Sequence, residues 1–173
     1  MTHEIHFKAP WSDDVKIVTG LATFLLLASS LVGAVVLPSA TPTWARWLAT
    51  AGPLLVLTGT LLFIVRGYVL RGGELLIERL AWRTHVKLDK LVSATIDPEA
   101  LRKSIRILGS GGLFGFLGWF RNRKLGNYRA YATDQKRTVV LRLPGKVIVV
   151  SPDEPGKFLT ELERLRHPTT GQE

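Results

Sequence analysis

The sequence contains no cysteine and only a modest amount of acidic charge. Without a thiol the chain has no disulfide framework, no thiolate nucleophile and no thiolate metal site. Its 173 residues hold 14 Asp and Glu against 23 Lys and Arg, for a net charge of +9. Residues 66–173 alone hold 20 Lys and Arg against 11 Asp and Glu, so the excess positive charge lies in that part.

Two stretches, Ile17–Leu37 and Leu48–Val65, carry no charge of either sign. As helices they would be about 31 and 27 Å long at roughly 1.5 Å per residue, and the hydrocarbon core of a bilayer is about 30 Å thick. Trp44 and Trp47 precede the second stretch and Tyr68 follows it, as in an aromatic belt. The pattern predicts a two-helix transmembrane hairpin over residues 17–65, with 17–37 and 48–65 spanning.

The positions of Lys and Arg predict how this hairpin is oriented. The connection between the stretches holds only Arg46, whereas Arg66, Arg71 and Arg79 follow the second stretch closely. Positive residues stay on the cytoplasmic side of a membrane. We therefore expect an integral protein of the cytoplasmic membrane with both termini in the cytoplasm. The predicted divisions are a cytoplasmic tail (1–16), the hairpin (17–65), one folded domain (66–166) and a C-terminal tail (167–173).

The predicted domain reads as short strands followed by one helix. Residues 86–91 alternate apolar and polar, and residues 147–150 form an apolar run typical of a central strand. Ser151 and Pro152 fit an N-cap followed by a proline in the first turn, with Asp153 as an alternative cap. Apolar residues then recur at helical spacing, namely Phe158, Leu159, Leu162 and Leu165. This pattern predicts a mostly-β domain closed by a C-terminal helix.

Residues 109–120 are mostly glycine and aromatic, and a basic run follows at once. One interpretation is a glycine-kinked strand or loop that packs its aromatic residues into the core. A second is a membrane-dipping loop, with aromatics among the headgroups and basic residues on phosphates. A third, a phosphate cradle, is disfavoured because Phe114 replaces a small residue and no Gly-Lys-Ser/Thr ending is present. The second interpretation names candidate lipid contacts: Trp119, Phe120, Arg121, Arg123 and Lys124.

The sequence offers no constellation that requires an enzyme. Nucleophilic catalysis needs a hydroxyl or thiol beside a base, but His3, His6 and His167 lie near the chain ends and His85 lies in a basic stretch. We therefore predict no catalytic residues, no cofactor and no metal. The positive charge alone does not predict nucleic-acid binding, because no reading motif accompanies it.

Several segments carry a family resemblance: Gly115–Asn122 (GFLGWFRN), Leu125–Tyr128 (LGNY), Tyr131–Asp134 (YATD) and Val150–Pro155 (VSPDEP), with Phe158-Leu159. With these motifs the chain resembles the bacterial pleckstrin-homology-like (PH-like) family, whose membrane-anchored members place the domain behind spanning helices. The resemblance covers about residues 70–165. It implies a seven-stranded, bent PH-like barrel capped by the C-terminal α-helix, and it implies no particular activity.

The basic charge and the location behind the apolar stretches together suggest a binding function. A domain that begins at Arg66 would lie against the anionic cytoplasmic leaflet, where each nearby Lys or Arg gains about 1 kcal/mol. We therefore predict a membrane-anchored PH-like binding or adaptor module on the cytoplasmic face, which contacts the lipid bilayer and either membrane proteins or anionic lipid headgroups. The alternative is a structural or regulatory membrane-protein subunit whose basic charge only reflects topology.

Overall fold

The computed structural model describes residues 4–166. Three helices are present in this range: α1 (Asp13–Val35), α2 (Thr43–Leu61) and α3 (Pro155–Arg166). The strands form two sheets and are, in chain order, β1 (Ile5–Lys8), β2 (Val65–Arg71), β3 (Glu74–Arg79), β4 (Arg83–Lys87), β5 (Ser93–Ile96), β6 (Ile105–Gly112), β7 (Gly115–Asn122), β8 (Gly126–Ala132), β9 (Val139–Leu143) and β10 (Lys146–Val150). The predicted tail 167–173 lies outside the described residues.

The first sheet has four strands in the order β1-β2-β3-β4. Its first strand comes from the segment before α1, so the chain leaves this sheet for the two helices and returns to it at β2. Strands β2 and β3 are joined by Gly72 and Gly73, which have φ angles of 53° and 78°. A two-residue turn with both φ angles positive matches the right-handed twist of paired strands and favours glycine.

The second sheet has six strands in the order β5-β9-β10-β8-β7-β6. The pair β8 and β10 is parallel and the other neighbours are antiparallel. Strand β10 lies inside the sheet between β9 and β8, so the prediction of a central strand over residues 147–150 is confirmed. The predicted strand over residues 86–91 is confirmed only at Val86 and Lys87, because β4 ends at Lys87 and a turn follows.

Helix α3 covers the core that both sheets share. Phe158 and Leu162 are fully buried, together with residues of both sheets such as Leu70 and Leu141. The ring of Phe7 in β1 meets that of Phe158 edge-on at 5.1 Å between centroids. Burying an apolar side chain of this size stabilises the fold by about 1.5–3 kcal/mol, so α3 and β1 contribute to the same core.

The start of α3 differs from the prediction. The helix begins at Pro155, and Ser151 is buried four residues earlier. Its Oγ accepts hydrogen bonds from the backbone N–H groups of Thr133 (2.8 Å) and Asp134 (3.2 Å), which ties β10 to the end of β8. The predicted cap at Ser151 is therefore wrong, since its side chain accepts from buried donors just after β8.

The predicted two-helix transmembrane hairpin is wrong. Among the described residues, only α1 is long and apolar enough, by length and composition, to cross a membrane. The second uncharged stretch is not one helix, because α2 ends at Leu61 and Val65 already begins β2, where it is buried. Helix α2 also includes Arg46 and several threonines. The helix is therefore less apolar than the uncharged stretch 48–65 suggests. The implied single seven-stranded barrel is likewise replaced by two sheets.

Helices α1 and α2 pack closely against each other. A Cβ built on Gly33 would lie 2.8 Å from the backbone of Ala49, so only glycine allows this approach. The hydroxyl of Ser30 donates a hydrogen bond of 2.6 Å to the carbonyl of Thr50. Small residues and a hydroxyl at a helix crossing are typical of association without a large apolar interface. Much of the apolar surface of α1 therefore stays exposed, as at Phe24 (68%).

Candidate site at the junction of helices and sheets

The glycine-aromatic stretch forms the β6–β7 hairpin. Strands β6 and β7 pair in register from Ile105↔Arg121 to Gly112↔Gly115. Gly109 and Gly118 face each other, with φ angles of 118° and 130°, and a Cβ on either would overlap a carbonyl oxygen of the facing strand. The glycines therefore permit a close approach of two backbones, as the first interpretation of this stretch proposed.

The tip of this hairpin docks on the first turns of α1. Phe114 lies in the turn with a φ of 58°, and its backbone N–H donates to the hydroxyl of Thr19 at 2.9 Å. Its ring packs edge-on against Trp11 at 5.9 Å between centroids. These contacts hold the start of α1 against the six-stranded sheet. They thereby fix the positions of the residues that line a cavity between the helices and the hairpin.

The five predicted lipid contacts are not brought together. Trp119 and Phe120 are neighbours on β7 and face opposite sides of the sheet: Trp119 is 43% exposed, whereas Phe120 is buried and stacks on Tyr128. Arg121 and Arg123 are exposed, and Lys124 pairs with the carboxylate of Asp97. Phe120 is thus a core residue, and the prediction of a lipid contact there is corrected. Lipid contact by Trp119, Arg121, Arg123 and Lys124 stays a prediction.

A cavity of about 720 Å³ opens beside Trp119, between the ends of the helices and the β6–β7 hairpin. Val18 of α1 and Phe63, just after α2, form one wall, and apolar residues of the hairpin form the other. Three arginines from separate strands line the same cavity, namely Arg79, Arg106 and Arg129. No Asp or Glu lies among its described lining residues, so the cavity combines apolar walls with uncompensated positive charge.

Arg79 is held at the end of β3 by aromatic rings from three elements. Its guanidinium carbon lies 5.1 Å from the ring centroid of Tyr131, 5.4 Å from that of Trp82 and 5.7 Å from that of Phe63. Its Nε is buried and has no hydrogen-bond partner among the described residues. Burial lowers the pKa of Arg79 from its ordinary value. A buried, unpaired donor is uncommon in folded proteins and calls for a functional or structural explanation.

Arg129 approaches the same aromatic cluster from β8. Its guanidinium carbon lies 5.6 Å from the ring of Trp119 and 5.2 Å from that of Tyr131. Arg79 and Arg129 therefore both contact the ring of Tyr131, and the charge of Arg129 further lowers the pKa of Arg79. Neither arginine pairs with a carboxylate within residues 4–166, although half of the ion pairs there involve arginine.

Sequence reasoning missed this cluster because its members are far apart in the chain. Arg79 and Arg129 are fifty positions apart and lie on different sheets. The one local signal is an arginine between two tyrosines in a strand, as in Tyr128-Arg129-Ala130-Tyr131. That signal is weak, since exposed faces of strands commonly carry arginine.

The described residues offer no site for a metal ion, since no group of three or more His, Asp or Glu side chains comes together there. His85 contacts Glu74 at 3.2 Å on the exposed side of the four-stranded sheet. The cavity arginines are hydrogen-bond donors without an adjacent base or nucleophile, so this site can bind an anion.

Comparison with known families gives one match. The model of the family described as bacterial PH domain matches residues 66–166, more than half of the chain. No curated protein and no solved structure matches the chain. The matched region includes Arg79, Arg106 and Arg129, and it leaves out β1, α1 and α2.

Proposed function

Because the chain belongs to the bacterial PH domain family, we propose that it is a membrane-anchored binding module whose two sheets lie at the cytoplasmic face. A PH-like domain suggests a binding or adaptor role. Helix α1, which is long and apolar enough to cross a membrane, supplies the anchor. The β sheets carry the surface that meets the partner.

The observation that carries this proposal is the exposed apolar surface of α1. Ile17, Phe24, Leu31 and Val35 are each more than 60% exposed, although the helix is packed against α2. Water exposure of apolar surface costs about 25 cal/mol per Å², and patches beyond a few hundred Å² mark partner or membrane contacts. The interior of a membrane removes such a surface from water along the whole length of the helix.

The position of β1 joins the chain before α1 to the chain after α2. Strand β1 pairs with β2 from Ile5↔Leu70 to Lys8↔Gly67, so α1 begins and α2 ends at the four-stranded sheet. The residues from 66 onward carry the net charge of the chain. Basic residues beside an apolar helix favour the cytoplasmic side, which supports a cytoplasmic location for both sheets.

The exposed edge of the six-stranded sheet supports contact between the domain and the membrane surface. Ile105, Ile107 and Leu108 of the edge strand β6 are 73%, 57% and 69% exposed. The exposed Arg106 and Arg121 lie on this strand and its neighbour. Apolar side chains beside arginines are the combination that suits the headgroup region, where apolar groups insert and arginines meet phosphates.

Membrane anchoring is tested by placing charges on the exposed side of α1. We expect the wild-type chain to stay in the membrane fraction of bacterial cells after alkaline carbonate washing, and Phe24→Asp with Leu31→Asp to be released. A charge at the centre of a spanning helix costs about 2.5–3.5 kcal/mol on insertion scales. Leu80→Asp is the matched control, since Leu80 is 52% exposed in the β3–β4 turn. A wild-type chain in the soluble fraction, or unchanged retention of the double variant, would contradict the anchor.

The cytoplasmic location is tested by labelling a single cysteine. Because the chain has no cysteine, Lys157→Cys on the exposed side of α3 can be labelled without background. We expect an impermeant maleimide to leave this position unmodified in intact cells and to modify it after lysis. Modification in intact cells would place the sheets on the outer side and refute the orientation.

A further inference from the structure

We propose that the cavity between the helices and the β6–β7 hairpin binds the headgroup of one anionic phospholipid, with Arg79 and Arg129 on its phosphate. The inference rests on the proposed membrane location and adds the ligand and the site. It concerns the junction where the appended helices meet the sheets, so both parts of the chain contribute to it.

The first argument is the unpaired donor. Arg79 keeps its Nε buried without a hydrogen-bond partner, and no carboxylate of the described chain reaches it. Arg79 as a whole is half-buried, and leaving its buried donor without an acceptor is unfavourable. A phosphate ester supplies the missing acceptors, because the planar guanidinium donates two parallel hydrogen bonds to its oxygens.

The second argument is the presence of two like charges on one ring. Arg79 and Arg129 both contact Tyr131 with their guanidinium groups, at 5.1 and 5.2 Å from the ring centroid. The two positive charges repel each other. An anion bound to both groups removes this repulsion, and Arg106, which is exposed and lines the same cavity, adds a third positive charge.

The two hydroxyl groups that line the cavity are already hydrogen-bonded within the protein. The hydroxyl of Ser110 donates to the carbonyl of Leu113 at 2.6 Å. The hydroxyl of Thr60 donates to carbonyls of its own helix. Both hydroxyls are therefore engaged, and the charged donors of the cavity belong to arginine.

The third argument is the size of the cavity and its apolar wall. A volume of about 720 Å³ lies within the range of about 300–1,000 Å³ usual for small-molecule sites, and it exceeds what a free phosphate ion needs. Val18 and Phe63 line the cavity at the ends of the two helices. The exposed apolar residues of the helices continue from them, beginning with Ile17 and Leu62. Acyl chains attached to the phosphate thus have an apolar path from the cavity to the membrane, which favours a phospholipid over a soluble phosphate.

The test uses the full chain, purified in a neutral detergent and titrated with phosphatidylglycerol or with zwitterionic phosphatidylcholine. Native mass spectrometry counts bound lipid, and thermal unfolding reports the stabilisation that a ligand of the folded state produces. We expect one phosphatidylglycerol to bind wild type and raise its Tm, and phosphatidylcholine to bind at least about tenfold more weakly. Arg129→Gln should weaken phosphatidylglycerol binding by about tenfold or more, since hydrogen bonds to charged groups are the strong ones.

Arg142→Gln and Lys146→Gln are the matched controls, because both residues are exposed, lie in the same domain and do not line the cavity. We expect each to keep wild-type lipid binding. Arg79→Gln should lose the lipid-dependent rise in Tm, and Arg79→Lys should recover it only in part. If Arg79→Gln does not fold, the comparison of Arg129→Gln with Arg129→Lys tests the proposal in its place.

Equal losses in the control variants would refute the site, because they would show binding by diffuse surface charge. Displacement of the lipid by glycerol 1-phosphate at equal concentration would also refute it, in favour of a soluble phosphate ligand. The outcome is separable from membrane anchoring. Arg129→Gln is expected to remain in the membrane fraction, whereas failure of the anchor would release the wild-type chain itself.

Discussion

Hydrogen bonds of a few buried polar residues join the N-terminal segment to the two sheets. The hydroxyl of Tyr68 in β2 donates to the carbonyl of Tyr131 in β8 at 2.5 Å and accepts from the backbone N–H of Ser151 at 3.1 Å. The hydroxyl of Thr133 donates to the carbonyl of Pro10 at 2.8 Å. These bonds connect four parts of the chain inside the protein, where an unpaired polar group would be costly. They set the relative position of the two sheets.

Tyr68→Phe is expected to lower the free energy of unfolding by about 1–3 kcal/mol, because it leaves Ser151 N–H and Tyr131 C=O without their buried partner. Chemical unfolding of the purified chain measures this loss. Tyr128→Phe is the comparison variant, since its hydroxyl bonds only Ser104 and a smaller loss is expected. An unchanged midpoint in Tyr68→Phe would show that the network contributes no stability.

The same tyrosine predicts a pH dependence. Burial raises the pKa of Tyr68 to about 12, against 10.0 for an exposed tyrosine. The folded state therefore holds this proton more tightly than the unfolded state, so the contribution is complete below pH 10 and is lost as the pH rises toward 12. We expect wild type to lose more stability than Tyr68→Phe between these pH values. Parallel curves for the two proteins would contradict the assignment, since other groups titrate equally in both.

At the scale of elements, strands were easier to predict than helix ends. The apolar run predicts the strand at residues 147–150, because a short apolar segment is a local property of the sequence. The terminal helix was also predicted, but its start moved to Pro155 because Ser151 bonds a strand distant in sequence. The end of α2 was missed because Val65 is as apolar in β2 as it would be in a membrane. The cavity was missed because it exists only once α1, β3 and β8 meet.

The β6–β7 hairpin depends on glycine at specific positions. Gly118→Ala is expected to destabilise the fold by at least about 1–3 kcal/mol, because its φ of 130° strains an L-residue and a Cβ would overlap the carbonyl of Leu108. Gly111→Ala is the matched control on the facing strand, where the nearest heavy atom to a Cβ is 3.7 Å away. Thermal unfolding of both variants compares them. Equal stability would show that the close approach of the two strands is not required.

For the whole molecule, the important relation is between the N-terminal strand and the family-matched domain. The match begins at residue 66, and the division of the chain at that point stays a prediction. Phe7 of β1 is nevertheless buried in the core, and β1 covers the edge of β2. The backbone of Lys8 also exchanges hydrogen bonds with Asp153 beside the start of α3. The helices are thus inserted between two strands of one sheet.

This connection predicts that a residue outside the matched region stabilises that region. Phe7→Ala in the full chain is expected to lower the free energy of unfolding by about 3–5 kcal/mol, as for other buried phenylalanines. His6→Ala is the matched control on the same strand: His6 is exposed and close to Glu4, so a change within about 0.5 kcal/mol is expected. Urea unfolding followed by tryptophan fluorescence measures both.

If Phe7→Ala matched the control, β1 would be an accessory strand, and residues 66–166 would hold their core without it. If the large loss is found, the smallest stable unit includes residues 4–10 joined to the sheets, and α1 and α2 connect two strands of that unit. Helix α1 then also joins the six-stranded sheet, through the hydrogen bond between Thr19 and Phe114 at the tip of the hairpin that lines the cavity.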